Sequence, residues 1–445
     1  MPKLNVTARL NAIFKLILFT SIVFLFSCKA PQAITPSTQT SPPPPPRESA
    51  SEGAVNSGIY RNLFAEIGKT PAEIRAKIDN AYQHLFAGDP DEAAIYYKSG
   101  SNGNGTLGYI YDINSKDVRS EGMSYGMMIT VQMNKKAEFD AIWNWAKTYM
   151  YHNNPEHPAY GYFAWSVETS GKALDEMPAP DGEEYFATAL YFAAARWGNG
   201  EGIYNYQAQA DRILHDMRHR ERITGATTHG EKTAGNLFHP EHAIVRFTPD
   251  LGNADHTDAS YHLPAFYEIW ARVGPEGDRD FWAKAARVSR EYFDKAAHPL
   301  TALTPDYGEF DGSPWGASWR PESVDFRYDA WRTVMNWSMD WSWWRKDKNA
   351  AARSDRLLAF FESQGEDINH LYSVDGTPLG GGVTLGLRSM NATGGLAAAH
   401  PRWMNFVEDL WQQPPPTGQY RYYDGVLYMM ALLHCAGEYR AWLPE

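Results

Sequence analysis

Glu121 is the residue whose surroundings point most directly to chemistry. It lies in Ser120-Glu121-Gly122-Met123-Ser124-Tyr125-Gly126-Met127-Met128, one carboxylate among small residues at the mouth of an apolar stretch that reads as helix. Burial there disfavours the charged form of a Glu and raises its pKa. A carboxylic acid that keeps its proton near neutrality can act as a general acid. The plainer reading is an acidic residue in a first helical turn, favoured by the dipole. A second carboxylate, Asp329, stands three residues before Arg332 in Phe326-Arg327-Tyr328-Asp329-Ala330-Trp331-Arg332. The i, i+3 spacing allows an ion pair, and an adjacent cation keeps an Asp ionised. A protonated Glu facing an ionised Asp is the arrangement that hydrolysis of a glycosidic bond with inversion requires. The acid protonates the departing oxygen and the base activates a water on the other face, the carboxyls standing roughly 6.5–9.5 Å apart to admit it. Taken alone, Asp329 reads as a cap with a surface ion pair.

Two further groups carry chemistry and a structural alternative. Asp181, in Pro180-Asp181-Gly182-Glu183-Glu184, fits the N-cap of the apolar stretch that follows, with Glu184 as its capping-box partner. It also fits an Asp at a helix mouth that hydrogen-bonds a sugar hydroxyl. Asp255, His256, Asp258 and His262 crowd between Ala254 and Leu263. Their spacing matches no established metal site, and they read as polar residues leading into a helix that starts near Leu263. No metal and no other cofactor is expected. No nucleophile elbow, phosphate loop or dinucleotide fingerprint is present.

The elements that must position these residues are helices. Phe139, Ile142, Trp143 and Ala146 follow i, i+3, i+4, i+7 spacing, as do Leu263, Phe266, Tyr267 and Trp270, and Trp331, Val334, Met335 and Met339. Val426, Met430 and Leu433 repeat it near the end, and 205–218 and 354–363 are further helical candidates. Strand-like alternation is scarce. Long loops rich in Gly, Pro, Asp and Trp are expected at 152–182, 220–257, 300–325 and 375–402. The reading is an all-α bundle with functional loops on one side.

Composition narrows the partner. Among 445 residues are 16 Trp and 26 Tyr, more aromatic surface than a helical core needs, and aromatic faces suit the apolar faces of pyranose rings. The alternative is that Trp simply fills a large core. The formal charge of −12 argues against nucleic acid, which demands a basic surface. Lys3, Arg9 and Lys15 precede an apolar run, Leu16–Phe26, of 11 residues, which is short for a membrane span. It ends in Leu25-Phe26-Ser27-Cys28, which resembles a bacterial lipobox with Cys28 as the lipidated first residue. An ordinary secretory peptide is the alternative. Removal of residues 1–27 takes away those three positive charges and moves the formal charge from −12 to −15. Residues 28–57 are Pro-, Ser- and Thr-rich, with Pro42–Pro46 a stiff extended run, and read as a spacer. The catalytic domain is expected over 58–445. Cys435, in the apolar run Val426–Cys435, reads as a buried thiol. The expected location is exported, lipid-anchored to a bacterial membrane and periplasm-facing.

Five stretches, in order, resemble the signature of glycoside hydrolase family 8. They are Asp117–Met127, Pro180–Phe186, Tyr261–Tyr267, Tyr328–Arg332 and Arg421–Gly425, and the resemblance covers essentially 58–445. It implies an (α/α)6 barrel and an inverting mechanism. By the same resemblance Glu121 matches the general acid, Asp329 the general base, and Asp181 the acid that binds the distorted sugar at the cleavage site. Trp165 looks like a sugar-stacking position, Arg332 like the partner of the base, and Tyr261 like a contributor near the attacking water. The wording is closest to the xylan-active branch, and within it to exo-oligoxylanases that release xylose from the reducing end. Those shorten the leaving-group side with a Leu-His-Pro loop. This chain has Ala399-His400-Pro401, so the Leu is missing and His400 is either part of that barrier or an ordinary loop residue. The implied partner is a xylo-oligosaccharide. An open-cleft endo-xylanase or β-glucanase and a non-catalytic sugar-binding lipoprotein are the alternatives, and a binder has no use for the pair Glu121 and Asp329.

Overall fold

The computed structural model describes residues 52–444; the leader, Cys28 and most of the spacer lie outside the described residues. Fourteen α-helices are described, in chain order α1 (Ala54–Ser57), α2 (Leu63–Glu66), α3 (Pro71–Ala87), α4 (Ser120–Gln132), α5 (Lys136–Tyr149), α6 (Pro180–Trp197) and α7 (Tyr206–His219). They continue with α8 (Pro264–Val273), α9 (Arg279–Ala296), α10 (Thr333–Trp344), α11 (Ala350–Ser363), α12 (Leu385–Thr393), α13 (Trp403–Gln412) and α14 (Arg421–Cys435). Six of them form a closed inner ring. α4 packs on α6, α6 on α8, α8 on α10, α10 on α12, α12 on α14, and α14 returns to α4. Each has an outer neighbour: α5, α7, α9, α11, α13 and α3 pack on α4, α6, α8, α10, α12 and α14 respectively. This double ring is the (α/α)6 barrel that the resemblance implies.

Sequence pattern explains which helix goes where. In α4 every residue but Glu121 is buried, and α14 and α10 are nearly as apolar or small on all sides. Helices apolar all round belong inside. The outer helices carry one apolar stripe: α9 buries Trp282, Ala285, Ala286, Ser289, Tyr292, Phe293 and Ala296 and exposes its charged face. α5 buries Phe139, Ile142, Trp143 and Ala146, the four positions its spacing predicts. Local signals fix some ends. Thr70 and Glu73 close a reciprocal capping box on α3, with Pro71 at its first position.

Two expectations are corrected here. Nine of the sixteen Trp are buried, eight of them on helices of the two rings, so half of the Trp fill the volume within and between the rings. The segment 375–402 contains α12 rather than loop alone. Thr384 caps α12 through its side chain, and the buried Gly386, Ser389 and Asn391 obscure its apolar period. The other three long segments contribute short antiparallel pairs: Val118–Arg119 with Ser166–Val167 and Ala173–Asp175, Ile223–Thr227 with Gly230–Ala234, and Thr257–Asp258 with Tyr307–Gly308; 300–325 also holds a 3-10 turn, Pro321–Val324, and α6 begins at Pro180. These line the rim at which the inner helices begin.

Candidate active site

Three inner-helix starts and one short turn bring the acids together. Glu121 is the second residue of α4, whose first residue, Ser120, donates its backbone N–H to Trp165 O at 2.9 Å. Asp181 is the second residue of α6, and Tyr422 the second of α14. Two glycines permit the approach. A Cβ on Gly122 would lie 2.6 Å from the Tyr422 hydroxyl, and one on Gly182 would lie 2.6 Å from Ser120 Oγ. Asp329 and Arg332 lie on a 3-10 turn, Tyr328–Arg332, that feeds α10. In that geometry residues i and i+3 eclipse, and Asp329 Oδ1 meets Arg332 Nη2 at 3.1 Å.

Arg332 is the hub. Its buried guanidinium donates from Nη1 to Glu121 Oε2 at 2.6 Å, to Asp181 Oδ2 at 2.9 Å and to Tyr125 Oη at 2.5 Å. Nη2 donates to Ser260 Oγ at 2.7 Å. Sequence reasoning gave Arg332 one partner, the base; the structure gives it the acid and Asp181 as well. Because Glu121 and Asp329 rest on the two arms of one planar guanidinium, at 2.6 and 3.1 Å, their nearest oxygens are at most about 8 Å apart. That bound is compatible with the spacing of roughly 6.5–9.5 Å that lets a water stand between an acid and a base. Burial lifts Glu121 to about 7, against the pull of Arg332, and Asp181 to about 6 for the same reason. Glu121 therefore can carry a proton near neutrality.

Asp329 has two further carboxyls behind it. Asp306 accepts the backbone N–H of Ala330 at 3.2 Å and pairs with Arg320 at 2.9 Å, fixing the turn that carries Asp329. Asp258 accepts the N–H of Ser260 at 2.7 Å. On the other side Tyr422 donates its hydroxyl to Glu121 Oε1 at 2.9 Å. Tyr125 and Tyr422 sit within the motifs Asp117–Met127 and Arg421–Gly425 and Asp258 within the polar group before Leu263, none of them assigned a role by the sequence; nothing local marks Ser260 or Asp306.

Two cavities meet at this pair. One, about 550 Å³, is lined by Trp165, Asp181, Tyr261, Trp319 and Arg332 among others. The second, about 630 Å³, is lined by Asn114, Tyr328, Trp331, His370, Tyr420 and Tyr423 among others. Glu121 and Asp329 line both. Each volume falls in the range, roughly 300–1,000 Å³, that encloses a ligand larger than one sugar ring.

Other expectations come out differently. Asp181 is not an N-cap: Ala179 holds that position, Asp181 accepts the N–H of Gly182 at 2.9 Å, and no capping box forms. Pro180 at the first helical position moves the cap two residues earlier than predicted, and Glu184 instead accepts the Tyr267 hydroxyl at 2.5 Å. His256 stacks on Trp315 at 3.7 Å and His262 on Tyr292 at 3.9 Å, and burial lowers both, to about 4 and about 3. His400 is exposed and lines neither cavity. The N–H groups of Ala399 and His400 are tied to Asp355 Oδ1, at 3.1 and 2.9 Å, in a turn leading to α13.

A helical double ring with a paired-carboxylate cleft wide enough for a sugar chain defines a glycosidase. The model of glycosyl hydrolases family 8 matches residues 101–437, and the chain belongs to that family. It is 41% identical to a reducing-end xylose-releasing exo-oligoxylanase of Paenibacillus barcinonensis, over 88% of this chain and 99% of that one. It is 39% identical to the exo-oligoxylanase of Halalkalibacterium halodurans, over 89% and 97%. A crystal structure of a family 8 xylobiose complex from Teredinibacter turnerae is 75% identical and superposes with a TM-score of 0.88, covering 88% of this chain and 100% of that one.

Proposed function

We propose that this protein hydrolyses β-1,4-xylosidic bonds of xylo-oligosaccharides with inversion, releasing xylose from the reducing end. The observation that carries the chemistry is the placement of Glu121 and Asp329 on one guanidinium where two sugar-sized cavities meet. Glu121 protonates the departing oxygen, and Asp329 takes the proton of the attacking water. Asp181 holds the sugar at the cleavage site, Trp165 stacks beneath the next ring, and Tyr261 faces the water. Arg332 orients all three acids. The substrate rests on the relatives: three curated relatives, 35–41% identical, are exo-oligoxylanases of this type.

A second reading, internal cleavage of longer xylan chains, is favoured by one observation. The cavity opposite Asp181, about 630 Å³, is wider than a single leaving xylose needs, and Ala399-His400-Pro401 does not line it. The 75% identical T. turnerae xylanase was crystallised with xylohexaose. Xylotriose and xylohexaose labelled at the reducing end separate the two. Labelled xylose as the first labelled product from both supports reducing-end release. Labelled xylobiose or xylotriose appearing first from xylohexaose supports internal cleavage. No hydrolysis of either, with a β-glucan turned over, removes the xylan assignment. For stereochemistry, NMR of the first-formed anomer is expected to show α; β first refutes inversion. The Cys28 reading extends to location: an exported lipoprotein, facing the periplasm, that finishes oligomers. Palmitate labelling of the full chain, lost in Cys28→Ala, is its test.

A further inference from the structure

Three carboxyls stand together behind the reacting centre. Asp258, Asp306 and Asp329 each place a carboxylate oxygen within 4.8 Å of the others. Like charges this close cannot all ionise. Counter-ions decide which gives way. Asp329 has Arg332 Nη2 at 3.1 Å, and Asp306 has Arg320 Nη2 at 2.9 Å and the Ala330 N–H at 3.2 Å. Among the described residues Asp258 pairs with no cation. Its Oδ1 accepts the Ser260 N–H, while its Oδ2 is wholly buried without a partner. An ionised carboxylate with an unpartnered buried oxygen is the costliest state available to the three.

We infer that Asp258 holds a proton beside Asp329 and is a positioning residue, its neutral carboxyl donating into the acid cluster so that the neighbouring base stays charged. The inference rests on Asp329 being the base. Asp258 is well placed to act in this way. It ends the strand Thr257–Asp258, paired with Tyr307–Gly308, and caps the 3-10 turn Ala259–Tyr261. Ser260 of that turn receives Arg332. The groups facing Asp258 are Asp306 and Asp329 as anions, Arg332 as the nearest cation, and the hydroxyls of Tyr261, Tyr292 and Tyr307. Burial, then the charges of Asp329 and Asp306, push the Asp258 carboxyl well above the usual range. A hydrogen bond donated to Asp329 favours its ionised form.

The test is infrared spectroscopy and kinetics on Asp258→Asn, whose amide is neutral and keeps a donor. In the difference spectrum near neutral pH, wild type is expected to show the C=O band of a protonated carboxyl that Asp258→Asn lacks. The variant should keep kcat/KM on xylotriose within about fivefold, with the acid limb of its pH profile unmoved. Asp258→Ala removes the donor, and its acid limb should rise by about one pH unit, the tenfold worth of one hydrogen bond to a charged group. Absence of the band, or a loss beyond about a hundredfold in Asp258→Asn, overturns the inference. So does a rise in melting temperature with Mg²⁺, Ca²⁺ or Mn²⁺ in wild type but not in Asp258→Asn, since a cation would then neutralise the cluster. If Asp258→Ala does not fold, the Asn variant and the spectrum decide. If wild type cleaves no xylan oligomer, the functional reading fails, while the spectrum still judges Asp258.

Discussion

Tyr422→Phe asks how the proton on Glu121 is held. The Tyr422 hydroxyl donates to Oε1 at 2.9 Å, while Arg332 donates to Oε2 at 2.6 Å. Both donors favour the carboxylate; burial favours the acid and, on balance, leaves Glu121 at about 7. Phe keeps the buried ring and its packing but removes one donor, so the ionised form loses support and the pKa rises. A hydrogen bond to a charged group is worth about 1.5–3 kcal/mol, which corresponds to about one to two pKa units. The basic limb of kcat/KM reports the acid in the free enzyme, and on xylotriose it should move from about 7 to between about 8 and about 9. On the acidic plateau the rate should fall by less than about tenfold, since a weaker acid still donates. A limb that stays in place or moves down would show that Tyr422 does not set this acid. A loss of about a thousandfold at every pH, with the circular dichroism spectrum unchanged, would give Tyr422 a direct part in the chemistry.

Other perturbations read the same network. Arg332→Lys replaces a fork with a point charge that cannot serve Glu121, Asp181, Asp329 and Ser260 together; kcat should fall by about a hundredfold or more and the acid limb of kcat/KM should rise. Retained activity would remove Arg332 as the hub. Gly122→Ala drives a Cβ into the Tyr422 hydroxyl, so it should lower stability by about 1–3 kcal/mol in urea unfolding and shift the basic limb upward, without adding to the shift of Tyr422→Phe. Glu184 is buried and its pKa is raised well above 4.5. The native state therefore binds more protons than the unfolded chain above about pH 4.5, and stability falls as pH rises from there toward the folded pKa. Glu184→Gln keeps an acceptor for Tyr267, so its urea midpoint should decline less than that of wild type as pH rises above about 5. Parallel declines would show that another group sets the slope.

The barrel was legible where one face repeats. Phe139 to Ala146 and Val426 to Leu433 carry the period, and both are helices. Helix α12 was not, because Gly386, Ser389 and Asn391 are buried for their size rather than their hydrophobicity. Glu121, Asp181, Asp329 and Arg332 could be picked from local spacing and from the family resemblance, and the structure brings all four into one ion-paired cluster. What spacing could not show is a counter-ion shared across α4, α6 and the turn before α10, since those segments are some 60 to 210 residues apart in sequence. Asp306 escaped, and Asp258 read only as a polar residue leading into a helix, for the same reason: their closeness to Asp329 exists only once Thr257–Asp258 pairs with Tyr307–Gly308. Of the two readings of His400, barrier or ordinary loop residue, a three-residue likeness could not choose; the turn is exposed and tied to Asp355.

The inner helices share a direction, and that has a practical result. α10 runs 12 residues, about 18 Å, from the acids at its start to Trp344. At that far end Gly53 is pressed against the backbone of Trp343 and Trp344. The Trp343 ring N–H donates to Tyr439 O, and Trp442 donates to Gln132 at the end of α4. Residues near both ends of the described chain thus gather on the side opposite the groove. A link made at the first or last described residues would therefore leave from the side away from the acids, keeping the mouth of the groove clear of the point of attachment.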